Sequence, residues 1–169
     1  RQRAARFIID PMINKISPSI AAALEGTPDG ATVLIGGFGT AGIPSELIDG
    51  LIEQGARDLT IVNNNAGNGE TGLAALLKAG RVRKIIGSFP RQADSQVFDG
   101  LYRSGKLELE LVPQGNLAER LRAAGAGIGG FFTPTGYGTK LAKKADGSAK
   151  ETREIDGRMY VFEEPIHGD

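Results

Sequence analysis

The stretch Thr32-Val33-Leu34-Ile35-Gly36-Gly37-Phe38-Gly39-Thr40-Ala41-Gly42-Ile43-Pro44-Ser45-Glu46-Leu47-Ile48 decides the fold. Its first four residues form an unbroken apolar run that enters a glycine cluster, the pattern of a strand buried in a parallel sheet. Pro44-Ser45-Glu46 then opens a helix that puts Leu47, Ile48, Leu51 and Ile52 on one face and stops at Gly55. Strand, glycine turn and amphipathic helix in that order make one β-α unit.

The unit recurs on the C-terminal side. Leu59-Thr60-Ile61-Val62 is a second strand, Asn63 to Gly69 its loop, and a helix from about Glu70 carries Leu73, Leu76 and Leu77. Lys84-Ile85-Ile86-Gly87 is a third strand, followed by a helix that starts at Asp94-Ser95, presents Val97, Phe98, Leu101 and Tyr102, and ends at Gly105. Leu107, Leu109 and Leu111 alternate with Glu108 and Glu110 as in a half-buried strand. Asn116 to Ala124 is helical, and Gly129-Gly130-Phe131-Phe132 begins another strand. On the N-terminal side, Ser17-Pro18 reads as a cap and first residue of a helix that ends at Gly26. Strands alternating with helices predict an α/β fold with an open, mostly parallel sheet and helices on both faces.

The last third changes character. Residues 142–150 are polar and read as a loop, and Asp156-Gly157 between two alternating runs predicts a C-terminal β-hairpin. No solenoid period and no dividing linker is found, so residues 12–169 are expected to form a single domain. Residues 1–11 are basic, lack the apolar core and cleavage site of a targeting peptide, and are read as upstream of a natural start at Met12.

Composition removes whole classes of function. Of 169 residues, 25 are Gly, 20 are Lys or Arg and 20 are Asp or Glu, giving zero formal charge. A neutral chain provides no field for phosphate backbones, which argues against nucleic acid. The absence of Cys excludes thiol nucleophiles and thiolate metal sites, and the single histidine, His167, cannot form a multi-histidine centre. No apolar run approaches the ~20 residues of a membrane span. No metal, no membrane and a cytoplasmic location are the resulting expectations.

Gly37-Phe38-Gly39-Thr40-Ala41-Gly42 fits the G-x-G-x-x-G fingerprint of dinucleotide sites, but that site also wants an acid about 20 residues on. Asn63, Asn64 and Asn65 stand there instead. The loop still offers backbone N–H groups suited to a phosphate, a carboxylate or a thin chain. Two amide-rich turns, Asn63 to Asn68 and Pro113-Gln114-Gly115-Asn116, follow strands, where open parallel sheets bind ligands. Their side chains read either as neutral donors to a developing oxyanion or as ordinary turn and cap residues. No nucleophile with its base can be assembled.

Asp29 to Pro44 closely resembles the signature of family I coenzyme A transferases, in the A subunit. The resemblance continues through Asn64-Asn65-Ala66-Gly67, Pro113 to Arg120 and Thr133-Pro134-Thr135-Gly136-Tyr137-Gly138-Thr139. It implies transfer of CoA from succinyl-CoA to a 3-oxo acid by ping-pong catalysis, with the nucleophilic glutamate in the B subunit. By the same resemblance Gly36, Gly37, Phe38, Gly39, Thr40, Ala41 and Gly42 bind CoA, the substrate carrier, and Asn64 and Gln114 line the acyl site as the catalytic polar groups. No permanently bound cofactor is implied, and the partner is the B subunit, in a heterodimer or (AB)2 assembly. Ser88-Phe89-Pro90-Arg91-Gln92 with Val97-Phe98-Asp99 is more similar to 3-oxoadipate enzymes than to those that use acetoacetate. Arg91 is then a candidate for the distal carboxylate of 3-oxoadipate, against the plainer reading of a surface arginine. The alternatives are a non-catalytic CoA- or nucleotide-binding module and an acetoacetate-using A subunit. Because A subunits of the family run beyond the position of Asp169, the resemblance also implies truncation at the C-terminus.

Overall fold

The computed structural model describes residues 14–144 and 146–169. Segment 1–11 and Met12, read above as upstream residues and natural start, lie outside them. In chain order the elements are α1 (Ile20–Leu24), β1 (Thr32–Leu34), α2 (Ser45–Gln54), β2 (Leu59–Val62), α3 (Leu73–Lys78), β3 (Val82–Gly87), α4 (Gln96–Arg103), β4 (Glu108–Leu111), α5 (Gln114–Gly125), β5 (Phe131–Thr133), β6 (Thr152–Ile155) and β7 (Arg158–Glu163). A 3-10 turn at Lys140–Ala142 lies between β5 and β6.

β1 to β4 form a parallel sheet in chain order, and β5, β7 and β6 form a separate antiparallel sheet. Alternation along the parallel strands sorts the core onto two faces. Ile61 and Ile85 point to one face, where they pack with Ile48 and Leu51 of α2, Leu73, Leu76 and Leu77 of α3, and Phe98 of α4. Their neighbours Val62 and Ile86 point to the other, against Val112, Leu117 of α5 and Ile166. Helices therefore cover both faces, and β2, central and buried at every position, is apolar apart from Thr60.

Several boundaries differ from the sequence reading, each for a local reason. The cap of α1 is Ser19, whose hydroxyl accepts from Ala22 N at 3.1 Å, so Ser17-Pro18 lies before the helix. α3 starts at Leu73 rather than near Glu70, because the segment before it is tied to the turn after β3: Gly69 N donates to Asp94 O at 2.9 Å and Asp94 N to Asn68 Oδ1 at 3.0 Å. α5 begins two residues early, at Gln114. β5 does not extend the parallel sheet but pairs antiparallel with β7, Phe132 opposite Phe162. The β6–β7 hairpin forms as expected, with both turn residues, Asp156 and Gly157, at positive φ (49° and 73°).

After β7 the chain crosses the α5 face of the sheet. Ile166 N donates to Arg120 O at 3.1 Å, and Asp169 then meets the outer edge of β1, exchanging bonds of 2.8 and 3.0 Å with the backbone of Thr32. Among the described residues no helix is long and apolar enough to cross a membrane.

Candidate functional site

The four parallel strands end on one side of the sheet, and the loops that leave them meet there. Three consecutive asparagines after β2 organise the meeting. Asn63 and Asn65 are buried, while Asn64 between them is half-exposed. Asn63 Nδ2 donates to Ile35 O at 2.7 Å and to Gly36 O at 3.2 Å, and its Oδ1 accepts from Asn65 N at 2.9 Å. Asn65 Nδ2 donates to Gly39 O at 3.2 Å, and its Oδ1 accepts from Gly67 N at 2.8 Å. The flanking pair thus holds carbonyls of the glycine loop.

That loop is folded on itself. Phe38 N donates to Ala41 O and Ala41 N to Phe38 O, at 2.9 and 3.0 Å. Gly37 is required where it stands: its φ is 112°, and a Cβ there would run into the Ile43 side chain. Ile43-Pro44 separates the loop from the first turn of α2, which starts at Ser45. The N–H groups of Gly37, Gly39, Thr40 and Gly42 make no hydrogen bond among the described residues. A cleft of about 80 Å³ opens beside them, lined by Gly39, Thr40, Ile43, Asn65 and Gly72 among others. Phe38 stands 65% exposed at the loop.

Asn64 faces the ends of β3 and β4. Its Oδ1 accepts from Gln114 Nε2 at 2.8 Å and from Ser88 Oγ at 2.5 Å. Its backbone carbonyl accepts from Ser88 N at 3.2 Å and Phe89 N at 2.8 Å. Gly87 makes this approach possible, since a Cβ on it would lie 2.6 Å from Asn63 O. Asn64 and Gln114, 50 residues apart, are therefore brought into direct contact. Gln114 is the first residue of α5 and exposed. Arg91 is not drawn into this contact. Its Nε donates to Asp99 Oδ1 of α4 at 2.9 Å, and with Gln92, Ser95 and Arg103 it lines a separate open depression.

A second polar assembly, which sequence reasoning missed, joins the two sheets. Arg120, its side chain 10% exposed, places Nη1 2.7 Å from Glu110 Oε1 and Nε 2.7 Å from Glu164 O and 3.9 Å from Glu163 Oε2. Lys84 meets Glu110 at 2.6 Å, and Lys150 meets both oxygens of the 2%-exposed Glu163 at 2.8 and 2.9 Å. Asn116 Nδ2 adds a bond to Glu163 at 3.3 Å. Burial pushes the Glu110 carboxyl up, but hydrogen bonds and charge from Arg120 and Lys84 outweigh it and hold the group below its ordinary value. A cavity of about 310 Å³ lies beside this brace. Its buried charges are all paired, so it reads as structural. The spacing of Glu110, Arg120 and Glu163 carried no signal, because the three meet only when the sheets pack.

Relatives of known activity extend the picture. The chain is 72% identical over 158 residues to the A subunit of the 3-oxoadipate CoA-transferase of Pseudomonas putida, covering 94% of this chain and 66% of that one. It is 43% identical over 157 residues to the A subunit of the succinyl-CoA:3-ketoacid coenzyme A transferase of Helicobacter pylori, covering 93% of this chain and 65% of that one. The chain thus spans about two thirds of the length of these curated relatives. The glutaconate coenzyme A-transferase of Acidaminococcus fermentans shares the fold, with a TM-score of 0.72 at 19% identity over 89% of this chain and 53% of that one. The family description that matches residues 18–169 is "Coenzyme A transferase", which takes in the glycine loop, the three asparagines, Gln114 and the brace together. On the match to that family and the identity to its curated members, the chain belongs to the coenzyme A transferases.

Proposed function

We propose that the protein is the A subunit of an enzyme that transfers CoA from succinyl-CoA to 3-oxoadipate, in the breakdown of aromatic compounds in the cytoplasm. The B subunit supplies the nucleophilic glutamate, in a heterodimer or (AB)2 assembly. CoA is the substrate carrier and no resident cofactor takes part. The observation that carries this reading is the Asn64–Gln114 contact, a pair of neutral amides at the strand ends with no charged side chain hydrogen-bonded to either among the described residues. Attack on a thioester puts negative charge on the carbonyl oxygen. A fixed amide N–H aimed at that oxygen favours the transition state over the ground state. The unpaired N–H groups of Gly37 to Gly42 and the cleft next to them suit the phosphates or the thin pantetheine arm of CoA. Exposed Phe38 and Phe89, both in loops at this end, form an apolar rim for the partner to cover.

The 3-oxoadipate assignment is supported by the higher identity to the 3-oxoadipate enzyme than to the 3-ketoacid one, 72% against 43%. A monocarboxylate 3-oxo acid is the second reading, favoured by one observation: Arg91 is already paired with Asp99. The test is to take the full-length chain, complexed with the B subunit, and assay CoA transfer from succinyl-CoA to 3-oxoadipate and to acetoacetate. Gln114→Ala is expected to lower kcat by about 10²–10³, with a smaller change in KM. A variant that assembles normally and keeps kcat within about threefold would reduce Gln114 to a helix-start residue.

A further inference from the structure

The Asn64 carboxamide has an orientation problem that its neighbours solve. An amide nitrogen only donates, so the Gln114 Nε2 that lies 2.8 Å away must face the Asn64 oxygen. The Ser88 hydroxyl reaches the same oxygen from the turn after β3 and, facing an acceptor, donates to it. Both lone pairs of Oδ1 are then occupied. The Asn64 NH2 is left pointing away from them, with no partner among the described residues. Turning Asn64 over alone would set its NH2 against the NH2 of Gln114 and present oxygen, not N–H, to an incoming carbonyl, so the two amides would have to turn together.

Of the two donors, Ser88 is the anchored one. It is half-buried on a one-carbon side chain, and its backbone N–H is bonded to Asn64 O at 3.2 Å. Gln114 is exposed, on a longer side chain that has freedom to turn toward a ligand. We infer that Ser88 is a positioning residue, whose hydroxyl, together with the Gln114 amide, holds the Asn64 side chain in the orientation that donates to the acyl oxygen. The inference rests on the proposed role of Asn64 and Gln114 at the acyl site and adds a residue to it. Gly87 has a supporting part, because only without a Cβ do the turns after β2 and β3 come close enough for the contact.

The test uses the full-length chain in complex with the B subunit. Ser88→Val removes the hydroxyl, and Ser88→Thr keeps it on a side chain of the same size as valine. Ser88→Val is expected to lower kcat about tenfold, the scale of one lost hydrogen bond between neutral groups, with KM for succinyl-CoA changed less than threefold. Ser88→Thr should stay within threefold of wild type. In an Asn64→Ala background, Ser88→Val should cost less than a further twofold, because nothing is left to orient. An equal loss in that background, or equal losses for Val and Thr, would make Ser88 a packing residue and overturn the inference. Ser88→Val within twofold of wild type, while Asn64→Ala or Gln114→Ala is strongly impaired, would overturn the inference alone. If Asn64→Ala and Gln114→Ala are both near wild type, the acyl-site reading falls and the role of Ser88 with it.

Discussion

At the strand ends, Asn63, Asn64, Asn65, Ser88 and Gln114 form a network without a single charge. Between the two sheets, Lys84, Glu110, Arg120, Glu163 and Lys150 form one made almost entirely of charges. Both draw on residues far apart in the chain, but they differ in what they leave unpaired. The strand-end network keeps donors free on Asn64, Gln114 and the glycine loop, on its solvent-facing side. In the brace each buried charge has its opposite within hydrogen-bond reach. A group meant for a ligand has to retain hydrogen-bonding capacity, whereas a buried charge that does so is costly. On the proposed function, the unused donors, rather than the charges, belong to the end of the molecule that meets substrate.

The largest expected effect tests the brace. Glu163→Ala strands Lys150 in a largely buried setting, while Arg120 keeps Glu110, and should cost about 3–5 kcal/mol of stability in urea denaturation. A loss below 1 kcal/mol would mean that water satisfies the brace. Next comes the buried part of the strand-end network. Asn63→Ala unpairs the carbonyls of Ile35 and Gly36 and the N–H of Asn65, for about 2–3 kcal/mol. Asn64→Ala, at a half-exposed position, should cost under about 1 kcal/mol while still affecting turnover. Equal costs at 63 and 64 would erase the division between support and site.

Glu110→Gln sharpens the contrast through pH. The Glu110 carboxyl is held below its ordinary value of 4.5, so its charge stabilises the fold above about that pH, and the contribution is lost as pH falls through the lowered folded value. The variant should be less stable at pH 7 by about 1.5 kcal/mol. The gap to wild type should narrow progressively below pH 4.5 in urea titrations at stepped pH. A gap that stays constant down to pH 3 would remove Glu110 from the acid response. The smallest effect on stability is expected at Arg91, an exposed partner of Asp99. Arg91→Met should change stability by less than about 1 kcal/mol. It should weaken 3-oxoadipate selectively if the guanidinium leaves Asp99 for substrate, and both 3-oxo acids equally if it does not.

The parallel sheet was legible because its signals are local. Leu59 to Val62 and the runs around it carry their burial in consecutive residues, and Asp156-Gly157 states its turn in two. The antiparallel sheet was only half legible. The pattern of Phe131-Phe132 marks a strand, but its pairing with β7 depends on how the 3-10 turn and the loop after it return the chain. At the site, the two amide-rich turns were legible as strand-end loops, but the direct contact between Asn64 and Gln114, 50 residues apart, was not. The contacts of Asn63, Asn65 and Ser88 stayed hidden, because three adjacent asparagines look alike until backbone alternation buries the first and third. The brace was hidden more deeply, since charged residues in a sequence read as solvated surface unless their partners are known.

Strand order has a kinetic consequence. Thr32 pairs with Thr60, Thr60 with Lys84 and Lys84 with Glu108, so each strand docks on the one made just before it, across one intervening helix. A sheet ordered this way grows by short closures of similar length, which is favourable for folding speed. The tie between Asp169 and Thr32 is different in kind, since it joins residues 137 apart. Among the described residues it closes the longest stretch of chain, which places it by expectation on the late, native side of the barrier. Weakening it is expected to accelerate unfolding and leave the refolding rate nearly unchanged, which stopped-flow folding and unfolding in denaturant would check. That single latch on β1 sets how long the assembled sheet persists more than how quickly it forms.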